Sequence, residues 1–600
     1  MQNVKDLIKK TRIHHLPFYK FLPWKPKLTE THIEFFLACL VGLGAGYAAV
    51  IFRFVLHNFH HFFLGFLYPQ LKEISIFLTP LIPVIGALIL IPFSLKYPGE
   101  INGYGMPRFL ISVHLKGGLI RTRAIFIKIL TAAITIGTGG SAGVEGPIAQ
   151  IGGAIGSSIG RFFEMGSHRL KVLIACGSAG AIAAQFNAPL AGVLFAQEII
   201  MVGEFHLQTF GVIVISSGLA TAVSRAYYSS APTFNILKYE FHSYYEFGFY
   251  ILLGLLIGVL AYLFIKMFFK TSDYFAKLNI HEQVKPIIGA FMVGCMGIIH
   301  FGVLGDGYEY IIKALQSPAT IPIASIALLI VLKMIATSIT LGSGNVGGVF
   351  APALFIGAMI GAVFGWGVKF LFPGMIVQPG SYALVGMGAF LAAATHAPMT
   401  AIFLLFEITN NYQVIIPIMF ASVLGVMVAR RLCPDSLDSM ELSRQGIYLH
   451  DGKEESILSS IMVKEVMIRD FDTIPENMTF AQFMKFLSKS KFQYYPVLNN
   501  EAKMTGLVSF QDIREIMLEQ GLEDLIVMKD IAETDLIKIF PHDSLTVATK
   551  RFGIKDIETI PVVDPNDDQK VLGILKRKDV IDAYNKGILM REISRQKNGH

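Results

Sequence analysis

Glu145 is isolated among acids and bases. No other Asp, Glu, Lys or Arg occurs between Lys128 and Arg161, and Glu145 sits in Gly143-Val144-Glu145-Gly146-Pro147. A carboxylate inside an apolar membrane segment costs roughly 3 kcal/mol on insertion scales, so it needs a reason to be there. Two further blocks have the same build: Gly103-Tyr104-Gly105-Met106-Pro107 and Gly348-Val349-Phe350-Ala351-Pro352. Glycines that break the chain, followed by proline in a first helical turn, predict three helix starts. Such starts present free N–H groups at positive dipole ends and bind anions without a full positive charge. Desolvating an anion is costly, so several starts must converge on it. Glu145 is then a pore carboxylate that competes with the anion and carries or accepts a proton. The alternative is a carboxylate that only caps a helix. The gating role is preferred, because the N–H groups that would cap Glu145 are also the best anion donors.

The elements that carry these blocks repeat. Lys128-Ile-Leu through Pro147 aligns with Lys333-Met-Ile through Pro352 at a shift of 205 positions without a gap. Ala183 to Pro189 and Glu198-Ile199 align with Ala392 to Pro398 and Glu407-Ile408 at a shift of 209, and Gly103-Tyr-Gly105 faces Gly305-Asp-Gly307. Repeats that break their helices at corresponding places predict a transporter with its site at the repeat interface. Tight packing of small residues is the plainer reading of the same glycines. Lys128 and Lys333 occupy equivalent places and read as structural at least as readily as anion-steering. Glu198 and Glu407 read as helix-end scaffold carboxylates, and His396 as a packing residue.

The wider sequence fits a membrane setting. Of 600 residues, 53% are hydrophobic and 16% charged, with a mean hydropathy of +0.55; soluble domains run nearer one quarter charged. Uncharged runs over 35–52, 74–95, 247–265, 286–304 and 314–332 are each about one bilayer crossing long. Runs 334–368 and 370–406 lack every charged residue and are rich in Gly and Pro, which predicts broken helices. Cys39, Cys176, Cys295 and Cys433 lie far apart without a CxxC pair and read as core residues. Lys5, Lys9, Lys10, Arg12, Lys20, Lys25 and Lys27 near the start, and Arg430-Arg431 after the last apolar run, place both termini in the cytoplasm. The net charge of +7 thus reports topology, and nucleic acid is not an expected partner.

Charges become frequent after residue 430. The expected divisions are a basic arm over 1–30, a membrane domain over 31–431 with halves near 34–228 and 245–431, a linker over 432–455, and a soluble region ending in a tail at 591–600. The soluble region repeats as well. Tyr495-Pro-Val-Leu498 with Thr505 to Asp512 matches Ile560-Pro-Val-Val563 with Leu572 to Asp579. Apolar strand pairs followed by a helix opened near the Asp place the copies at 456–519 and 525–590.

Together these blocks resemble the CLC chloride channel and transporter family with a C-terminal pair of CBS domains. The family's GSGIP, G(K/R)EGP and GxFxP appear as the blocks at 103, 143 and 348. The resemblance implies an α-helical polytopic membrane fold of two inverted repeats with an α/β cytoplasmic CBS pair. It implies a homodimer with one anion pathway per subunit. Chloride would be held at Gly103, Tyr104, Gly105, Val144, Gly146, Val349 and Phe350, with Glu145 as a voltage- or pH-sensitive gate. No cofactor or metal is required. In CBS pairs the cleft can hold an adenine nucleotide, here at Ser509, Asp512 and Asp579, but Lys576 departs from the Ser/Thr pattern. A nucleotide-free dimerisation module is slightly preferred.

Four departures bear on function. Tyr104 stands at the usual pore Ser. Asp438, in Ser436-Leu437-Asp438-Ser439, stands at the late pore Tyr. The expectation is a swap, in which the Tyr104 phenol replaces the hydroxyl lost at 438, while Asp438 points away, pairs with a cation or is protonated. The alternative is an alignment slip at 436–439. Val144 replaces a basic residue beside the gate, which should weaken anion attraction. Ile199 stands where proton-coupled members carry an internal glutamate. That favours passive or uncoupled chloride transport, with proton-coupled chloride antiport as the alternative and fluoride export as a more distant one. A metalloprotease would need HExxH, but His281-Glu282 is followed by Gln283-Val284-Lys285; the chain is not expected to be an enzyme. A bacterial inner membrane is the expected location.

Overall fold

The computed structural model describes residues 30–444, 458 and 461–586, apart from 98, 102, 115, 203–206, 229–244, 317–321, 374–377, 488–489, 491, 510–512, 514–524, 556 and 585. The chain divides into Met1–Tyr448 and Leu449–His600. Among the described residues of the first unit, eight helical segments are long and apolar enough to cross a membrane.

The described elements of the first unit are helical. Its principal helices are α1 (Glu30–His60), α2 (Leu81–Lys96), α3 (Met106–His114), α4 (Arg123–Gly137), α5 (Glu145–Phe162), α6 (Ser167–Phe186), α7 (Pro189–Phe195) and α8 (Leu207–Tyr227). The second half follows with α9 (Glu246–Lys277), α10 (Val284–Ile299), α11 (Tyr308–Gln316), α12 (Ile323–Gly342), α13 (Phe350–Leu371), α14 (Gly380–Thr395), α15 (Pro398–Thr409) and α16 (Ile415–Leu432). A short helix, α17 (Met440–Arg444), comes after them. The two long uncharged runs are indeed broken. The chain leaves α12 at Gly342 and re-enters a helix at Phe350, and a second break separates α14 from α15.

Hydrogen bonds between equivalent residues define an internal two-fold. Gly143 N–H donates to Gly348 O at 2.7 Å, and Gly348 N–H donates to Gly143 O at 2.8 Å. Gly103 N–H donates to Gly344 O at 3.0 Å, and its equivalent Gly305 donates to Gly139 O at 3.2 Å. Ser141 N–H reaches Thr340 Oγ1 at 3.1 Å, as Val346 N–H reaches Thr135 Oγ1 at 3.3 Å. Gly139 and Gly344 hold φ of 101° and 109°, a region open to glycine but strained for other residues.

Helix crossings repeat in the same way. A Cβ on Gly152 would lie 2.1 Å from Gly177 O, and one on Gly177 would lie 2.0 Å from Gly152 O. Their equivalents Gly357 and Gly386 show 2.3 Å in both directions. α5 and α6, like α13 and α14, therefore meet backbone to backbone, as small residues allow in lipid. The glycines serve packing as well as breaks, so both readings of them hold at different positions. Lys333 is fully buried and donates to Val303 O at 3.0 Å and Gly305 O at 2.8 Å, which fixes the loop before α11.

The second unit holds β1 (Ile474–Pro475), β2 (Tyr494–Leu498) and β3 (Met504–Ser509) in one sheet, with β1 parallel and β3 antiparallel to β2. β4 (Thr559–Asp564) and β5 (Asp567–Lys576) pair antiparallel in a second sheet. Helices α18 (Phe480–Leu487) and α19 (Leu545–Lys555) complete two similar modules. Each module packs around its own core, but the leading segments are exchanged. Leu458 and Val463 lie in the core of the second module, and Met528 lies in the core of the first. Ile468 pairs with Ile574, and Leu507 with Glu533.

Candidate functional site

Three broken segments build the site. The block at 103–105 runs beside 347–348, with Tyr104 bridged to Gly347 and Gly143 bridged to Gly348. α5 begins at Glu145 and α13 at Phe350. No side chain separates the two starts: a Cβ on Gly348 would lie 2.7 Å from Gly146 N, and one on Gly146 would lie 3.2 Å from Gly348 Cα. The first N–H groups of both helices lack intrahelical acceptors, and both helices point their positive ends at one place. Gly103, Tyr104, Gly105, Val144, Glu145, Gly146, Val349 and Phe350 thus belong to one cluster.

The Glu145 carboxylate lies inside that cradle. Glu145 is fully buried. Its Oε1 accepts the Tyr308 hydroxyl at 3.1 Å. The position a Cβ on Gly143 would take is 2.1 Å from Glu145 Oε2 and 2.9 Å from Ala351 N. The carboxylate therefore occupies space beside the start of α13, where an incoming anion would compete with it. Tyr308 was not foreseen from sequence. It sits one residue beyond Gly305-Asp306-Gly307, and nothing in that block marks the next tyrosine as a gate partner.

Tyr104 and Asp438 meet directly, the Tyr104 hydroxyl donating to Asp438 Oδ1. Of the expected arrangements (pointing away, paired with a cation, or protonated), the contact seen is with the phenol of Tyr104 rather than with a cation. Asp438 is buried, at 4% exposure, and its Oδ2 has no hydrogen-bond partner among the described residues. Phe268 of α9 stands edge-on to the Tyr104 ring at 5.9 Å. Lys128 stands behind the loop, its Nζ 3.1 Å from where a Cβ on Gly105 would be.

Ile199 lies in a π-helical turn, Ala196–Ile200, and is buried. Its neighbour Glu198 faces elsewhere. Glu198 Oε1 accepts Met399 N–H at 3.0 Å, and Oε2 accepts Thr400 N–H and Oγ1–H, each at 2.7 Å. Glu407 reciprocates, accepting Leu190 N–H at 3.0 Å and Ala191 N–H at 2.8 Å. Each glutamate caps the α15 or α7 start of the opposite repeat. His396 ends α14 in the left-handed conformation, as Asn187 ends α6.

A cavity of about 380 Å³ adjoins the start of α5 and is lined by Val144 and Tyr308. Arg53, His57 and His60 of α1 also line it. Asp306 and Glu309 line the same cavity, so Arg53 is not an unopposed replacement for the basic residue that Val144 lacks.

A family profile described as the voltage gated chloride channel matches residues 86–430, more than half of the chain. The chain belongs to the CLC family. CBS domain profiles match residues 463–519 and 528–586. The CLC chain is 30% identical over 417 residues to the H(+)/Cl(-) exchange transporter ClcA of Vibrio campbellii, covering 68% of this chain and 89% of the relative. It is also 30% identical over 418 residues to a ClcB-like protein of Ralstonia nicotianae, covering 68% of this chain and 96% of that one. The crystal structure of a slow cyanobacterial Cl-/H+ antiporter superposes with a TM-score of 0.62 at 25% identity, over 70% of this chain and 98% of that one. A eukaryotic CLC transporter shares the fold over 92% of this chain and 99% of its own, with a TM-score of 0.70 at 20% identity. The protein is therefore an integral membrane chloride transporter of the CLC fold, with two inverted repeats and a CBS pair.

In the CBS pair, Ser509 ends β3 opposite Tyr494, and Asp512 lies outside the described residues. Asp579 follows β5, and its buried Oδ2 has no hydrogen-bond partner. Lys576 Nζ lies 5.5 Å from the centre of the Phe492 ring.

Proposed function

We propose that this CLC protein exchanges chloride for protons, with Glu145 as the gate that binds both. The observation that carries this reading is the Glu145 carboxylate seated between the α5 and α13 starts. Chloride can take that place only when the carboxylate leaves, and a carboxylate leaves most readily when it accepts a proton. Relatives named H(+)/Cl(-) exchange transporters support the same reading, which therefore displaces the passive or uncoupled transport expected from Ile199. Uncoupled chloride transport is the second reading, and Ile199 is the observation in its favour. The fluoride alternative has support only in the fold shared with a CLC-type fluoride/proton antiporter.

Chloride-loaded proteoliposomes test the proposal. A chloride gradient should drive protons against their own gradient through the wild type. Glu145→Gln should abolish proton movement and leave chloride flux that responds less to pH. Chloride flux through the wild type without proton movement would establish the uncoupled reading.

The pathway is proposed to occur once in each subunit of a homodimer, in a bacterial inner membrane, with both termini cytoplasmic. The CBS pair is proposed to act without nucleotide, because Lys576 is engaged at the ring of Phe492. A thermal-shift titration of the full chain with ATP, ADP and AMP should show no change; a shift lost in Asp579→Ala would assign nucleotide sensing.

A further inference from the structure

Asp438 is an acid that the gate alone does not account for. It lies in the segment between α16 and α17, which Leu437 fixes by donating its N–H to Ala394 O at 3.1 Å. The neighbouring acid, Asp435, is absorbed locally, since Ser443 Oγ donates to its Oδ1 at 2.5 Å. Arg444 is paired with Asp273 at 2.7 Å. Among the described residues, the Asp438 carboxylate has the Tyr104 hydroxyl on Oδ1, and its buried Oδ2 has no partner. Lys128 is the cation beside this loop, its Nζ 3.1 Å from where a Cβ on Gly105 would be.

The pair is joined to the gate by backbone. Tyr104 bridges Gly347, and the next residue, Gly348, bridges Gly143, two positions before Glu145. Two buried carboxylates, each bonded to a tyrosine hydroxyl, thus stand on the same three-segment cluster. An anion entering between them is repelled by Asp438 when that group is ionised and not when it is protonated. Anion occupancy and a proton on Asp438 therefore favour one another, and the linkage is reciprocal.

We propose that Asp438 is the second proton-carrying residue of this pathway, exchanging protons with Glu145 across the Tyr104 hydroxyl. This rests on the proton-exchange reading above. A proton from one aqueous side bonds to an Asp438 oxygen and neutralises the carboxylate. It then passes to a Glu145 oxygen, with Tyr104 accepting one proton as it releases its own, directly or to pore water. Asp438 returns to the ionised form and Glu145 becomes the neutral acid. The relay breaks two O–H bonds, at Asp438 and at Tyr104, and forms two, at Tyr104 and at Glu145 or the pore water that serves it. Tyr104 relays the proton in this scheme, a role that pore water can fill in part, and Ile199 takes no part.

The test measures proton and chloride fluxes through the full chain in proteoliposomes under a chloride gradient. Asp438→Asn should lower the proton-to-chloride ratio at least tenfold, while chloride continues to move at an altered rate and with less dependence on pH. Asp438→Glu should restore coupling in part, and Tyr104→Phe should reduce the ratio by less than Asp438→Asn. A ratio in Asp438→Asn within twofold of wild type overturns the role of Asp438 and leaves the exchange reading intact. A wild type that moves chloride without protons overturns both. Should Asp438→Asn fail to fold, calorimetry on Glu145→Gln decides. Chloride binding measured in buffers of different ionisation heat should still show proton uptake, now by Asp438, and zero uptake overturns the proposal.

Discussion

The Tyr308 hydroxyl donates to Glu145 as the Tyr104 hydroxyl donates to Asp438. The Tyr308 hydroxyl donates to Glu145 Oε1 at 3.1 Å and so favours the carboxylate in its closed place. Hydrogen bonds to charged groups contribute about 1.5–3 kcal/mol. Tyr308→Phe should therefore release the gate and raise chloride flux at neutral pH by about tenfold or more, measured as efflux from vesicles. An unchanged rate would show that the bond does not hold the gate. Arg53 acts earlier, in the cavity that Val144 and Tyr308 share. Arg53→Ala should slow chloride uptake severalfold at low ionic strength and little at high, because salt screens a steering charge. Equal slowing at all salt concentrations would instead indicate lost packing. Glu145 was legible in the sequence because no other charge stands near it. Tyr308 and Arg53 were not, because a tyrosine after a glycine loop and an arginine in a long helix take on these roles only once the repeats fold together.

At the scale of elements, the reciprocal caps separate scaffold from chemistry. Glu198 gives both oxygens to the start of α15, and Glu407 gives both to the start of α7. Removing a helix cap costs about 0.5–2 kcal/mol. Glu198→Ala and Glu407→Ala should each lower the melting temperature in detergent and leave the proton-to-chloride ratio unchanged. A ratio that collapses in Glu198→Ala alone would mean that Glu198 carries protons despite its cap. These elements were readable because repeat symmetry lies in residue types that backbone geometry demands: glycine at the crossings, proline at the starts and an acid at the caps. Helix limits were less so. α1 runs from Glu30 to His60, beyond the uncharged stretch 35–52, and Arg53 and His57 of that extension line the cavity beside Tyr308. Conversely the apolar run 314–332 does not form one span, since α11 ends at Gln316 and Pro322 precedes α12.

For the whole molecule, the CBS pair shows how a repeat seen in sequence differs from a unit of folding. The two copies were legible through Tyr495-Pro-Val and Ile560-Pro-Val, which form the central strands. Their leading segments were not, because Val463–Val466 and Met528–Ile531 are helices of only four residues. Each of these packs on the opposite copy. Met528 fills the core around Phe483, Tyr495 and Val508; Leu458 and Val463 fill the core around Ile539, Phe552 and Val562. A fragment covering 456–519 lacks Met528 and leaves a void where a buried methionine belongs, a loss of about 2–5 kcal/mol. That is comparable to the whole stability of a domain this small. Fragment 456–519 should therefore show no cooperative thermal transition by circular dichroism, whereas 449–600 should melt in a single step. A cooperative transition in the shorter fragment would show that the exchanged segment contributes little and that each copy folds alone. With the exchange in force, a destabilising change in one core must also loosen the other, so Phe483→Ala and Phe552→Ala should each lower the one melting temperature of the pair rather than split it in two.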